Sequence, residues 1–331
     1  MNETFRAMMI VDDGGKPRAE FRELGAGDLP GHEVLVEVAY SSLNYKDGLA
    51  VSGKGRIARR LPMVAGIDLA GTVVESRSAA WKRGDRVVVN GWGLSETEWG
   101  AYSRLQRVKP QWLIRLPDAF DMQEAMGIGT AGYTAALCVN ALEDWGFIAP
   151  RSGEVLVTGA AGGAGSIAVA LLSAKGYVVA AATGRPETHA YLAELGAASF
   201  VDRAELVEKG RPLQAERWSG AVDCVGSTTL ANVLAQTIYG GAVAACGLAG
   251  GAELPGTVMP HILRSVALLG IDSVMAPQAK RERAWALLAA YLDKGKLGAI
   301  TRVEPMSALP TLAEEILNGR IRGRVVIDVA A

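Results

Sequence analysis

Up to about residue 120, apolar and polar side chains alternate with period two in short runs separated by turn residues. Val34, Val36 and Val38 alternate with Leu35, Glu37 and Ala39, and further runs cover Gly71–Glu75, Asp85–Asn90 and Tyr102–Val108. The N-terminal stretch MNETFRAMMIVDDGG reads as a first strand. Runs of this length and spacing predict an antiparallel β domain, a partly closed barrel. Beyond residue 120 the period changes. Residues 121–145 read as helix, Glu154–Thr158 as a buried strand, 164–175 as a helix and Tyr177–Ala182 as a second strand. Pro186–Leu195 is a helix with Pro in its first turn and Gly196 past its end. Strands at 198–201, 221–225 and 241–246 follow, with a helix at 227–238. This alternation specifies a doubly wound parallel sheet with helices on its faces, an α/β arrangement. After about residue 270 there remain helices at 278–294 and 308–318, a polar segment between them, and a closing strand Arg324–Val329. A last strand needs a sheet, so the C-terminus is expected to return to the first domain. The expected division is 1–124 plus 272–331 around an inserted domain at 125–271.

Composition sharpens this picture at two places. Of 331 residues, 40 are glycine, about 12% against a usual ~7%, and they cluster in 159–165 and 240–251. Dense glycine marks tight turns or a backbone that closely approaches a ligand. Charge is balanced, 34 basic against 35 acidic residues, without long like-charge runs, which argues against a nucleic-acid surface or a polybasic membrane anchor. Cys138, Cys224 and Cys246 lie far apart in sequence among apolar residues and read as reduced core residues of a cytoplasmic protein. The N-terminus lacks the pattern of a secretory signal. Ala125–Leu142 and Cys224–Ala252 carry no charge, but their glycines and polar residues identify them as interior segments rather than membrane spans.

The strand ending at Thr158 runs through Gly159-Ala160-Ala161-Gly162-Gly163-Ala164-Gly165 into an apolar helix. A strand-to-helix loop presents backbone N–H groups and the positive end of the helix dipole to a phosphate. Gly162 would allow close approach of a pyrophosphate and Gly165 close packing of helix on strand, with Ala160 where the fingerprint usually has its first glycine. The second strand ends in Thr183-Gly184-Arg185, where an NAD site would place Asp or Glu. All three residues can donate to a 2′-phosphate, so NADPH/NADP+ is the expected cofactor. Arg203 is either a second cation at that phosphate or a solvated charge.

The segments SSLNYKDGLAVSGKG (41–55), MVAGIDLAGTV (63–73), GDRVVV (84–89) and GTAGYTA (129–135) resemble the medium-chain dehydrogenase/reductase superfamily over essentially the whole chain. That resemblance implies a GroES-like, partly closed barrel with an inserted Rossmann-type domain. Where zinc-dependent members carry a Cys and a Gly-His-Glu, this chain has Asn44-Tyr45-Lys46-Asp47 and Gly66-Ile67-Asp68. No metal site is therefore expected, and the chain is similar to the zinc-free, quinone-reductase-like branch. GWG (91–93), VAACGLAGG (243–251) and DSVM (272–275), with NYKD and TGR, look like the acryloyl-CoA reductase subgroup, which reduces acryloyl-CoA to propionyl-CoA with NADPH. A quinone or enone reductase and a non-catalytic NADPH-binding protein are the alternatives. The resemblance also implies a homodimer paired through an edge strand near Val266–Ile271.

The resemblance places Tyr45 and Asn44 beside the nicotinamide. Tyr45 would orient the carboxamide, donate to the substrate, or simply pack as an aromatic. Lys46 and Asp47 are expected either to pair and fix the loop or to serve the proton path, and Asp68, in an apolar strand, to be hydrogen-bonded or paired in a structural role. Thr130 is a nicotinamide contact or a helix cap. Gly247 and Leu248, at the end of a parallel strand, would flank the nicotinamide, and Asn318 is a cofactor contact or a cap. Lys54, Arg56, Arg59 and Arg60 are either receptors for the phosphates of a CoA thioester or an ordinary solvated run.

Overall fold

The computed structural model describes residues 4–146, 148–149 and 153–331. The chain divides into two units. One comprises the chain through Thr130 with Ser273–Glu282 and Leu297–Ala331, and the other comprises Ala131–Asp272 with Arg283–Lys296.

The first unit opens with β1 (Thr4–Asp13) and β2 (Lys16–Gly25), a hairpin turning on Gly14-Gly15, both at positive φ. A two-residue hairpin loop needs that backbone, and glycine adopts it without a Cβ penalty. There follow β3 (Val34–Ser42), α1 (Tyr45–Val51), β4 (Met63–Val64), β5 (Asp68–Ser76), β6 (Arg86–Asn90), β7 (Leu105–Val108) and β8 (Ile114–Arg115). The second unit holds β9 (Glu154–Val157), β10 (Val178–Thr183), β11 (Ser199–Asp202), β12 (Trp218–Asp223), β13 (Thr237–Ala245) and β14 (Ala267–Gly270). β15 (Thr301–Pro305) and β16 (Arg324–Asp328) return to the first unit. The helices after α1 are α2 (Met122–Trp145), α3 (Gly163–Ala174), α4 (His189–Leu195), α5 (Ala204–Val207), α6 (Ser227–Gln236), α7 (Met259–Arg264), α8 (Gln278–Tyr291), α9 (Lys294–Ile300) and α10 (Leu309–Leu317).

In the first unit the larger sheet runs β15-β16-β3-β5-β6-β8, with β7 also on β3. β16 pairs antiparallel with β3, so the last strand does return. The polar segment after residue 294 contains α9 and β15, and β15 pairs parallel with β16, a departure from an all-antiparallel domain. Both faces of β3 contribute to apolar cores. Val34, Val36 and Val38 join Leu69, Val87, Tyr102 and Ile327. Leu35 packs with Phe5, Ala7, Met9 and Val11 under the smaller sheet β2-β1-β4.

In the second unit the sheet runs β11-β10-β9-β12-β13-β14, with neighbouring strands paired in parallel. Counted from β9, this is the 3-2-1-4-5-6 order of a doubly wound dinucleotide fold, whose ligand crevice lies where the order reverses, at the carboxyl ends of β9 and β12. Leu156, Ala180, Val201, Trp218, Val233 and Val243 form its core. α2, apolar enough to be mistaken for a membrane span, is largely buried inside the fold.

Residues 121–145 do not form one unbroken helix. Gly129 sits at φ 51°, ψ −160°, which breaks the helical path. A Cβ there would lie 2.4 Å from Arg324 Nη2 and 2.5 Å from Ser42 Oγ. Gly129→Ala therefore meets both backbone strain and a crowded polar cluster. We expect it to cost about 2 kcal/mol or more in urea unfolding, whereas Gly298→Ala, at a position open within 4 Å, stays within about 1 kcal/mol of wild type.

Candidate active site

The residues from Ser41 to Asp47 meet the start of β5 in a buried polar cluster of the first unit. Asp68 is fully buried and opens β5. It accepts from Ser42 N (3.0 Å), Ser42 Oγ (2.8 Å), Asn44 Nδ2 (3.2 Å) and Thr130 N (2.7 Å). Arg324, buried at the first position of β16, donates to Gly127 O (3.0 Å), Leu43 O (3.1 Å) and Ser42 Oγ (2.7 Å). Ser42 Oγ thus links the guanidinium to the carboxylate. Burial lowers the pKa of Arg324, with the Asp68 and Asp47 charges opposing.

Asn44 precedes α1. Its N–H donates to Asp47 Oδ2 (2.9 Å), the return half of a capping box, and its amide donates to the same oxygen (3.0 Å). Ile67 N donates to Asp47 Oδ1 (3.1 Å). The expected Lys46–Asp47 pair is not formed. Successive residues at a helix start face different ways, so Asp47 points inward while Lys46 binds Glu96 at 2.6 Å. Tyr45, on the same first turn, is 42% exposed. The cluster accordingly holds Asn44 and Asp47 inside and presents Tyr45 outside. Asp68 is hydrogen-bonded in the interior, as a carboxylate in an apolar strand must be. Arg324 was not singled out from sequence, although a basic residue opening an otherwise apolar strand was a usable signal.

In the second unit, the loop after β9 turns at Gly159 (φ +60°). A Cβ on Gly165 would lie 2.3 Å from Gly159 O and 2.7 Å from Ala160 Cα, so the first turn of α3 packs against the loop too closely for a side chain. Ala160 and Ala161 are buried, and Gly162, Gly163 and Ala164 are half-buried. The N–H groups of Gly163 and Ala164 open α3, where no intrahelical acceptor exists. Ser166 Oγ secures the loop by donating to Ala160 O (3.1 Å) and accepting from Tyr191 Oη (2.7 Å). Between the ends of β9 and β12, Thr158 Oγ1 donates to Asp223 Oδ1 (2.6 Å) and accepts from Cys224 N (3.0 Å).

After β10, Thr183 is largely buried and its hydroxyl accepts from Arg185 N (3.1 Å), so it shapes the turn from below. Gly184 is exposed, and a Cβ there would lie 2.9 Å from Arg203 Nε. Arg203, whose N–H donates to Thr183 O (3.1 Å), therefore lays its guanidinium over Gly184. Sequence left Arg203 open between a second cation and a surface charge, and the geometry brings it to the turn. Gly247 follows β13, where a Cβ would lie 2.1 Å from Cys224 O, and Leu248 beyond it is 61% exposed. Asn318 ends α10 and donates to Glu314 O (2.8 Å), a capping contact. Lys54 pairs with Glu314 at 2.5 Å, while Arg56, Arg59 and Arg60 are exposed and show no ion pair among the described residues. Among those residues, no three His, Cys, Asp or Glu side chains stand ready to share a metal ion.

Burial, reinforced by the neighbouring Asp68 charge, pushes the Asp47 carboxyl up to about 7. The folded state therefore keeps a proton that an unfolded aspartate releases near pH ~4. This group's stabilisation is full below pH ~4, declines as pH rises from about 4 to about 7, and is lost above, a change on the order of 4 kcal/mol. Urea midpoints measured across that range should show the decline in wild type and a flatter profile in Asp47→Asn.

Comparison with known proteins agrees with this construction. Residues 30–118 match the alcohol dehydrogenase GroES-like domain and residues 163–290 match the zinc-binding dehydrogenase family. The chain is 52% identical to the acrylyl-CoA reductase AcuI of Ruegeria pomeroyi over 99% of this chain and 100% of that protein. It is 49% identical to the probable acrylyl-CoA reductase AcuI of Escherichia coli over 98% and 99% of the two chains. The crystal structure of the yhdH oxidoreductase from Salmonella enterica in complex with NADP superposes with a TM-score of 0.95, at 48% identity, covering 98% of this chain and 99% of that one. With such identity along nearly its whole length, and with both domain families matched, the chain belongs to the medium-chain dehydrogenase/reductase superfamily.

Proposed function

We propose that this protein reduces the carbon–carbon double bond of acryloyl-CoA to propionyl-CoA with NADPH. The full-length likeness to proteins named acrylyl-CoA reductase carries the reading. The turn at Thr183-Gly184-Arg185 supports the choice of cofactor. It has no carboxylate to repel a 2′-phosphate, and Arg203 lies over Gly184.

The residues fit the cofactor. Ala161, Gly163, Ala164 and Gly165 would hold the pyrophosphate through backbone N–H groups and the α3 dipole, while Ala160 and Gly162, whose N–H groups donate to Ala182 O and Gly159 O, would shape the loop beneath it. Gly184, Arg185 and Arg203 would bind the 2′-phosphate, with Thr183 bracing the turn. Gly247, Leu248, Thr130 and Tyr45 are assigned to the nicotinamide end, and Asn318 to an outer contact. When bound, NADPH supplies the hydride that adds to the β-carbon of the enoyl thioester. Negative charge then builds on the thioester oxygen, where a positioned donor lowers the barrier, and a proton adds to the α-carbon.

In the first unit, Asn44 is consumed by Asp47, Asp68 and Arg324. Its role is to hold the first turn of α1 in place, leaving Tyr45 as the side chain free to orient carboxamide or substrate. Arg56, Arg59 and Arg60, exposed and without an ion pair among the described residues, suit the phosphates of coenzyme A. The functional domains are assigned as 1–124 plus 272–331 and 125–271, in a cytoplasmic homodimer. β14 is the last strand in its sheet's order, with Leu268, Ile262 and Leu263 exposed nearby, which supports edge pairing.

The test follows oxidation of NADPH and NADH with acryloyl-CoA, free acrylate and a simple quinone in parallel. The expected result is turnover of acryloyl-CoA with kcat/KM at least about tenfold higher for NADPH. Turnover of the quinone alone would transfer the assignment to a quinone reductase, and no turnover with any acceptor to an NADPH-binding protein.

A further inference from the structure

The three cysteines, distant in sequence, come together in the second unit. Cys224 follows β12 and Cys246 follows β13, two strands paired in parallel with Asp223 opposite Ala245. The cysteines thus occupy the next position on neighbouring strands. Cys246 N donates to Asp223 O (2.9 Å), and the two Sγ atoms are 3.8 Å apart. Neighbouring strands lie about 4.8 Å apart, within the ~4.4–6.8 Å Cα separation that a disulfide spans. Cys138 of α2 is fully buried, whereas Cys224 and Cys246 are only half-buried. The expectation of reduced thiols holds for all three, while the expectation of core burial holds for Cys138 and is corrected for Cys224 and Cys246.

The pair sits under both glycine loops. A Cβ on Gly159 would lie 3.4 Å from Cys224 Cβ, and a Cβ on Gly247 would lie 2.8 Å from Cys224 Cα. Any displacement of Cys224 is therefore passed to the start of the loop at 159–165 and to the turn carrying Leu248.

We propose that Cys224 and Cys246 form a peroxide-oxidisable dithiol that closes to a disulfide beneath these loops and lowers the affinity for NADPH. The second half rests on the assignment of the loops to the cofactor. Cys246, as thiolate, attacks the O–O bond of a hydroperoxide, giving a sulfenic acid and releasing an alcohol or water. Cys224 sulfur then displaces the sulfenic oxygen as water, so an S–S bond forms and an S–O bond breaks. Two thiols lose two electrons and the peroxide gains them. The neighbouring Cys138 and Cys224 thiols lower the pKa of the Cys246 thiol, which favours it as the attacking sulfur.

The native protein is treated with hydrogen peroxide, thiols are blocked with iodoacetamide, and the protein is analysed by intact mass and peptide mapping. NADPH affinity is measured by fluorescence before and after, and again after dithiothreitol. The expected result is loss of two hydrogens, a Cys224–Cys246 linked peptide, and NADPH binding weakened by about tenfold and restored by reductant; by linkage, bound NADPH then opposes oxidation to the same degree. Cys224→Ser and Cys246→Ser should each lose the link, while Cys138→Ser keeps it. Absence of the linked peptide from oxidised wild type, or a link to Cys138 instead, overturns the dithiol. A Cys224–Cys246 link that leaves NADPH affinity unchanged overturns the coupling. Gly165→Val, which crowds Gly159 O, separates that outcome from failure of the loop assignment, since it abolishes NADPH binding if the loop holds the cofactor.

Discussion

A carboxylate withdrawn from water has to be surrounded by donors, and Asp68 is the carboxylate around which the first unit is assembled. Its acceptor sites draw together Ser42 at the end of β3, Asn44 before α1 and Thr130 after the break in α2. Through Ser42 Oγ they also engage Arg324 at the start of β16. Four chain segments, one of them nearly two hundred residues further on in sequence, share a single buried charge system. Such a system adds little net stability over a well-packed apolar one, but removing one member strands the others and costs about 3–5 kcal/mol. Its value lies in geometry. It fixes the first turn of α1, and with it the direction in which Tyr45 emerges.

In the second unit the close approaches are made by backbone. Gly165, Gly184 and Gly247 are all places where a Cβ would collide with atoms already present: a carbonyl, a guanidinium and a strand end. Ala160 stands in a position where glycine is usual, and its methyl is accommodated because it turns into the core. The loop therefore keeps its shape by the hydrogen bond from Ser166 Oγ to Ala160 O and by the Gly162 N–H to Gly159 O bond rather than by flexibility. The cysteine pair and the two glycine loops consequently belong to one packed layer.

Much of this was legible in the sequence because local periodicity and turn chemistry agree with the final fold. The alternation of Val34, Val36 and Val38, the strand-to-helix glycine loop, and Gly196 closing α4 in the left-handed region each follow from residues within a few positions. What escaped depends on partners remote in sequence. Nothing near Lys46 announces Glu96, and nothing near Arg324 announces Ser42. The cysteines at 224 and 246 meet only because β12 and β13 pair in that register. β15 was hidden because its alternation, Thr-Arg-Val-Glu-Pro, leaves it no fully buried side chain. The break at Gly129 was hidden because a single glycine inside an apolar helix usually costs only about 1 kcal/mol and is tolerated.

The central chemical claim is that this scaffold directs hydride to the β-carbon of an enoyl thioester. It is tested most directly by supplying acryloyl-CoA with NADPH deuterated at the transferred position and locating the label in the product by NMR. The account predicts one deuterium in the methyl group of propionyl-CoA and none at the α-carbon. Deuterium at the α-carbon, or consumption of NADPH without label in the thioester, would contradict it.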